Sequence, residues 1–173
     1  MSIPVHLHSK DRARLVKTLG ELVGLYGDGL HAVALYGTAV TPAYRPKRTR
    51  MNLAVVLDEL TPSRLRLMRP RIRAWAWRHI DTPLVMDPLY IDSSLDVFPL
   101  EFLELADEHT LLHGDRDPFA DPEIDREHLR IEIEEQARGK MLHLWEAYLQ
   151  SRGRSSTMRR LLVQTPAGFL PTL

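Results

Sequence analysis

The stretch ALYGTAVTPAYRPKRTRMNLAVVLDEL, residues 34–60, decides how the chain is read. It begins inside a short apolar run, residues 31–37, that reads as a buried strand ending on Gly37. Residues 38–49 carry two prolines and a cluster of hydroxyl and basic side chains, which makes a loop. Residues 51–60 form a second, nearly continuous apolar run, as in a strand covered on both faces. A Gly-Thr turn after a strand lets backbone N–H groups and a hydroxyl approach phosphate oxygens closely. Phosphoryl or nucleotidyl transfer then needs a divalent cation, and Mg²⁺ prefers carboxylate oxygens. Residues i and i+2 of a strand share a face, roughly 6–7 Å apart. Two acids so spaced at the start of the second strand would suit a pair of metal ions. The residues there are Arg50 and Asn52.

Outward from this stretch the chain alternates helices and strands. Ser9 is placed to cap a first helix carrying Leu15, Leu19, Leu22, Val23 and Tyr26 at helical spacing, and Gly27-Asp28-Gly29 ends it. Thr61-Pro62 starts a second helix, cap then first-turn proline, with Leu65, Met68, Ile72, Trp75 and Ala76 on one stripe. Pro70 should kink or split it. Residues 83–87 read as a short strand and residues 96–105 as a longer one, with Pro99 suiting a strand edge. Residues 110–119 add a further short strand and a turn. The order αββαββ predicts an α/β (α+β) fold, a mixed sheet with helices on it. From Ile124 the texture changes to a helix whose apolar face carries Leu129, Ile133, Ala137, Met141, Leu144 and Tyr148. The expected organisation is a sheet domain over residues 1–120 and a C-terminal helical segment over residues 121–173, which looks like an incomplete bundle.

The 173 residues are 44% hydrophobic, enough for a core, and 23 basic residues balance 23 acidic ones. That balance gives no global attraction to nucleic acid or membrane. The absence of cysteine excludes disulfides, thiolate metal sites and a Cys nucleophile. No run has signal-peptide or membrane-spanning length, so a cytoplasmic protein is expected. Arg64, Arg66, Arg69, Arg71, Arg73 and Arg78 flank an apolar stripe on both sides, as snorkelling residues do, so nucleic acid is not expected as a partner. The pairs His6/His8 and His109/His113 read as ordinary terminal and extended-chain histidines.

Gly37-Thr38, the loop, and Arg50-Met51-Asn52 entering an apolar strand together resemble the DNA polymerase β-like nucleotidyltransferase superfamily. Its motif is a Gly-Ser or Gly-Thr turn, a loop, then Asp-x-Asp or Asp-x-Asn at a strand start. Arg50 stands at the first Asp position and Asn52 at the second, so the motif looks degenerate. Residues 44–60, 94–105 and 128–149 also resemble a bacterial branch of stand-alone nucleotidyltransferase-domain proteins. The resemblance implies a third carboxylate on a later strand, for which Glu101 is the first candidate and Asp96 and Glu104 the next. It implies a nucleotide or phosphate site lined by Gly37, Thr38, Lys47, Arg48, Arg50 and Asn52, with an Arg50–Glu101 salt bridge in place of metal.

A guanidinium cannot be deprotonated in a protein. At 4 Å from a divalent ion, with an effective dielectric near 20, it would be repelled by about 8 kcal/mol. No cofactor is therefore expected, and the leading expectation is a divergent superfamily protein with lost or weak catalysis that binds a nucleotide or a protein. The alternatives are an active Mg²⁺-dependent nucleotidyltransferase recruiting Asn52, Glu101 and Asp96, which would move NMP from an NTP to a small molecule or protein, and an antitoxin-like or structural partner subunit. The wide apolar face of the last helix predicts a homodimer or a protein partner through residues 129–149 and 158–173, burying Leu144, Tyr148 and Phe169.

Overall fold

The computed structural model describes residues 3–151, together with Arg159. A first helix, α1 (Ser9–Tyr26), presents Leu15, Leu19, Leu22 and Tyr26 inward. Its N-cap is His8, with no side-chain cap, so Ser9 is the first helical residue rather than the cap. Gly27 closes the helix at φ 51°, a left-handed conformation that favours glycine. Strand β1 (Leu30–Tyr36) then pairs antiparallel with β2 (Asn52–Leu57).

Thr61 caps α2 (Pro62–Met68) by accepting from the Arg64 N–H, with Pro62 in the first turn. Pro70 lies in a 3₁₀ turn (Arg69–Arg71) that separates α2 from α3 (Ile72–Trp77), as a missing N–H requires. The chain returns as β3 (Leu84–Met86), parallel to β2, so α2 and α3 form the crossover between two neighbouring strands. After α4 (Pro88–Ser94) and α5 (Pro99–Asp107), β4 (His109–His113) pairs antiparallel with β1. The sheet order is β3-β2-β1-β4.

The structure corrects one element. The strand expected over residues 96–105 is helical from Pro99 onward. Proline suits the first turn of a helix, where its absent N–H has no partner to lose. Leu100, Phe102 and Leu105 are buried and Leu103 and Ala106 half-buried, so the apolar positions fall at three- and four-residue intervals. An apolar run of this length does not by itself separate a strand from a short helix.

Strand alternation sorts the sheet residues onto two faces. Val33, Leu35, Met51, Leu53, Val55, Leu57 and Leu112 join Leu15, Leu19, Leu22, Met68, Trp75 and Ile80 in the main core. The other face carries Ala32, Ala34 and Ala54, all small, and ends in Tyr36, Asn52 and His109, which are register partners across three strands.

The chain divides into two compact units. The first is Met1–Ser94 with Leu105–Pro122, and holds all four strands. The described part of the second includes Leu95–Glu104 and α6 (Arg126–Gln150). Asp125 caps α6, accepting from the N–H groups of Glu127 and His128. No residue of α6 is buried, and Leu142, Trp145, Tyr148 and Leu149 are exposed. The expected contact residues 158–173, Phe169 among them, lie outside the described residues. Among the described residues no helix is long and apolar enough to cross a membrane.

Candidate functional site

The site grows from the ends of β1 and β2. Gly37 stands at φ 68°, where a side chain would be strained, and opens a 3₁₀ turn (Gly37–Val40). Its N–H donates to the Glu108 carbonyl at 2.9 Å, so that group is not free to meet a phosphate. The turn is closed by the Thr41 N–H and hydroxyl, both donating to the Thr38 carbonyl, and Ala39 O contacts His6 Nε2 at 2.9 Å. Thr38 is exposed. Asn52, paired with Tyr36, brings its amide close to Gly37.

Arg50 and Asn52 flank the buried Met51 and share a face of the strand start. The Arg50 guanidinium is held by three acceptors. Nε donates to Asp81 Oδ1, and Nη2 donates to the carbonyls of Ile80 at 3.2 Å and Ala76 at 3.3 Å. The carboxylate partner of Arg50 is thus Asp81 rather than the expected Glu101. The reason lies in the sheet. Met51 bridges in parallel to Ile80, its N–H bonding His79 O and its carbonyl taking the Asp81 N–H. That pairing sets Asp81 beside Arg50. Farther along, Ala54 pairs with Leu84, so the register slips by one residue between the two contacts. Burial first, then the Asp81 charge, pushes the Tyr36 phenol above its ordinary pKa, which places Tyr36 in the same electrostatic neighbourhood.

Lys47 and Arg48 are exposed on the loop, with Lys47 at φ 68°. The loop is folded by the N–H groups of Arg48 and Thr49, both donating to the Arg45 carbonyl. Of the clustered arginines, Arg64 pairs with Asp58 at 2.5 Å and Arg78 with Glu21 at 2.8 Å. Arg66, Arg69, Arg71 and Arg73 are exposed, and so is Trp77, while Trp75 is fully buried. His109 contacts Asp117 through Nε2 at 2.8 Å and Ala106 O through Nδ1 at 3.0 Å, and its ring meets Phe119 edge-on.

The three candidate acids lie in the second unit. Asp96 and Glu104 are exposed, and Glu101 is on α5 instead of a strand. The Glu101 carboxyl lies beside Glu132 of α6, and burial first, then that neighbour, pushes its pKa up to about 7. Glu132 also accepts from the Leu100 N–H at 2.9 Å and from Gln136 at 3.1 Å. Asp81 is the acid that sequence reasoning missed. Its only signal was its place just before the short third strand, and that signal becomes informative once β3 is known to lie beside β2.

The family resemblance implies Mg²⁺, but the residues at the places it assigns to carboxylates do not suit that ion. Arg50 is a cation already bonded to Asp81, and Asn52 is an amide with one neutral oxygen. Among the described residues no group of three or more His, Asp or Glu side chains is gathered as a metal ion would need.

No protein-family model matches the chain, and no curated protein does. Among solved structures, the spectinomycin adenyltransferase of Enterococcus faecialis, solved with ATP and spectinomycin, matches with a TM-score of 0.51 at 12% identity. The match covers 75% of this chain and 66% of that one, so the chain spans just under two thirds of that protein's length. A chain of the complex of tri-AMPylated Shewanella oneidensis HEPN toxin with MNT antitoxin matches with a TM-score of 0.41 at 14% identity, over 76% of this chain and 94% of that one. With its mixed sheet, its Gly37 turn and its β2 entering beside that turn, the chain carries the fold of the polymerase β-like nucleotidyltransferases.

Proposed function

We propose that this chain is a divergent nucleotidyltransferase-fold protein whose transferase chemistry is lost or weak, and which binds a nucleotide or phosphate group around Gly37, Thr38, Lys47, Arg48, Arg50 and Asn52. The observation that carries this reading is the Arg50–Asp81 pair at the start of β2. Transfer of a nucleotidyl group depends on cations that neutralise the phosphates and activate the nucleophile. A guanidinium neutralises charge but cannot lower the pKa of a bound hydroxyl as a metal does. Binding therefore outlasts catalysis in such a site. The test is label transfer from ATP with Mg²⁺, beside the double variant Arg50→Asp, Asn52→Asp. The wild type should transfer no label, and the double variant should gain Mg²⁺ affinity in calorimetry. A wild type that transfers label would defeat this reading.

A second reading, a partner subunit, is favoured by α6. Leu142, Trp145 and Leu149 form an exposed stripe at helical spacing, with Trp145 58% and Leu149 74% exposed. A second copy of the chain is the proposed occupant of that face, with Tyr148 at its margin. Sedimentation of the wild type beside Trp145→Glu decides it. A wild type that stays monomeric at high micromolar concentration removes the homodimer.

A further inference from the structure

Arg50 has more donors than its protein partners use. A guanidinium carries five N–H groups in a planar fork. Nε and Nη2 supply the bonds to Asp81, Ile80 and Ala76. Nη1 has no partner among the described residues, and the side chain is 40% exposed. The group is therefore held in place on one edge and open on another. A single strong anchor would let the side chain swing; two backbone carbonyls and the Asp81 carboxylate fix its plane.

The surroundings suit an anion in that place. Lys47 and Arg48 precede Arg50 by two to three residues, are exposed, and make no side-chain hydrogen bond or ion pair among the described residues. Asn52, on the same face as Arg50, adds an amide close to the Gly37 turn. Arg50 with Asp81 is neutral as a pair, so the surplus positive charge comes from Lys47 and Arg48.

We propose that Arg50 is a built-in cation standing where the fold otherwise needs a divalent metal, so that the phosphate chain of a nucleotide binds to its free Nη1 group without any metal ion. The inference rests on the phosphate-binding reading above and specifies its chemistry. The ligand class is an oligophosphate, free or carried by a nucleoside. Asp81 is a positioning residue: it aligns the guanidinium, and its negative charge opposes the incoming phosphate. Mg²⁺ bound to the ligand should not help, because it brings positive charge toward Arg50.

The experiment is calorimetric titration of the full chain with ATP and, separately, with inorganic tripolyphosphate, each in EDTA and in excess Mg²⁺. The expected result is binding in EDTA that Mg²⁺ leaves equal or weaker. Arg50→Gln should weaken it by about tenfold or more, as loss of a charge-assisted contact does. Asp81→Asn should strengthen it by about fivefold, the order set by one like-charge repulsion in a solvated site. Arg50→Lys keeps the charge but not the fork and should fall between wild type and Arg50→Gln. Thermal unfolding of each variant shows that the fold is retained. ATP and tripolyphosphate binding alike identifies the phosphate chain as the recognised group, whereas ATP alone would overturn an oligophosphate ligand class. Binding that requires Mg²⁺, or that Arg50→Gln leaves unchanged, overturns the built-in cation and leaves phosphate binding standing. No binding of either probe in either buffer overturns both.

Discussion

Glu21 joins α1 to the α3–β3 corner that holds Arg50, and its removal should be costly. One carboxylate oxygen accepts from the Trp75 indole N–H at 2.7 Å, and the other from Arg78 Nη2 at 2.8 Å. Arg78 also reaches the Thr18 hydroxyl at 3.2 Å. Trp75 and Thr18 are fully buried, and the Glu21 and Arg78 side chains are each 19% exposed. Glu21→Ala strands a buried N–H, which costs about 1–3 kcal/mol, and breaks a partly buried ion pair. Arg78 retains some access to water, so the ion-pair part falls below the fully buried case, and the total should be about 3–4 kcal/mol. Glu21→Gln keeps an acceptor for one of the two donors and should cost about half as much. Urea unfolding followed by far-UV circular dichroism measures both. The pH dependence supplies a second check. The hydrogen bond from Arg78 holds the Glu21 pKa below its ordinary value. The stabilisation is then fully present above the unfolded carboxylate pKa and is lost as pH falls through the lower, folded one. The gap between wild type and Glu21→Gln should narrow on acidification. A Glu21→Ala variant within 1 kcal/mol of wild type near neutral pH, against an expected loss of about 3–4 kcal/mol, would refute the reasoning, as would a gap that acid leaves unchanged.

Gly114 sits at φ 119°, and a Cβ there would stand 2.6 Å from the His31 carbonyl, so Gly114→Ala should lower the unfolding free energy by roughly 2–4 kcal/mol, measured in urea. Among the described residues the buried Tyr44 hydroxyl has no partner at hydrogen-bond geometry, although burial, then the nearby Asp11 carboxylate, pushes its pKa up to about 12. Tyr44→Phe should therefore leave stability unchanged or raise it by up to about 1 kcal/mol, and a loss above ~2 kcal/mol would show a bonded phenol. Glu101 has a folded pKa near 7, raised by burial and by Glu132, so its contribution is fully present below the unfolded carboxylate pKa and is lost as pH rises through about 7. Glu101→Gln should remove that pH dependence and be the more stable protein at alkaline pH in thermal unfolding scans across pH.

Periodicity and punctuation carried the local part of this protein. The apolar runs around residues 31–37 and 51–60, the Gly37 turn, the Thr61 cap and the Pro70 interruption depend on neighbours a few residues apart, and each is present in the fold. The placement of Arg50 and Asn52 on one face follows from strand alternation alone. Pairing decided the rest. Asp81 meets Arg50 because β3 runs parallel to β2, a contact across 31 positions that no window of sequence contains. Residues 99–107 are helical, with apolar side chains buried at three- and four-residue spacing, whereas the sequence offered residues 96–105 as a strand. Glu101 lies beside Glu132 for the same kind of reason: the start of α5 and α6, some thirty residues apart in the chain, come together in one unit. Residue types set which groups could carry charge near the Gly37 turn, and the strand order set which of them meet.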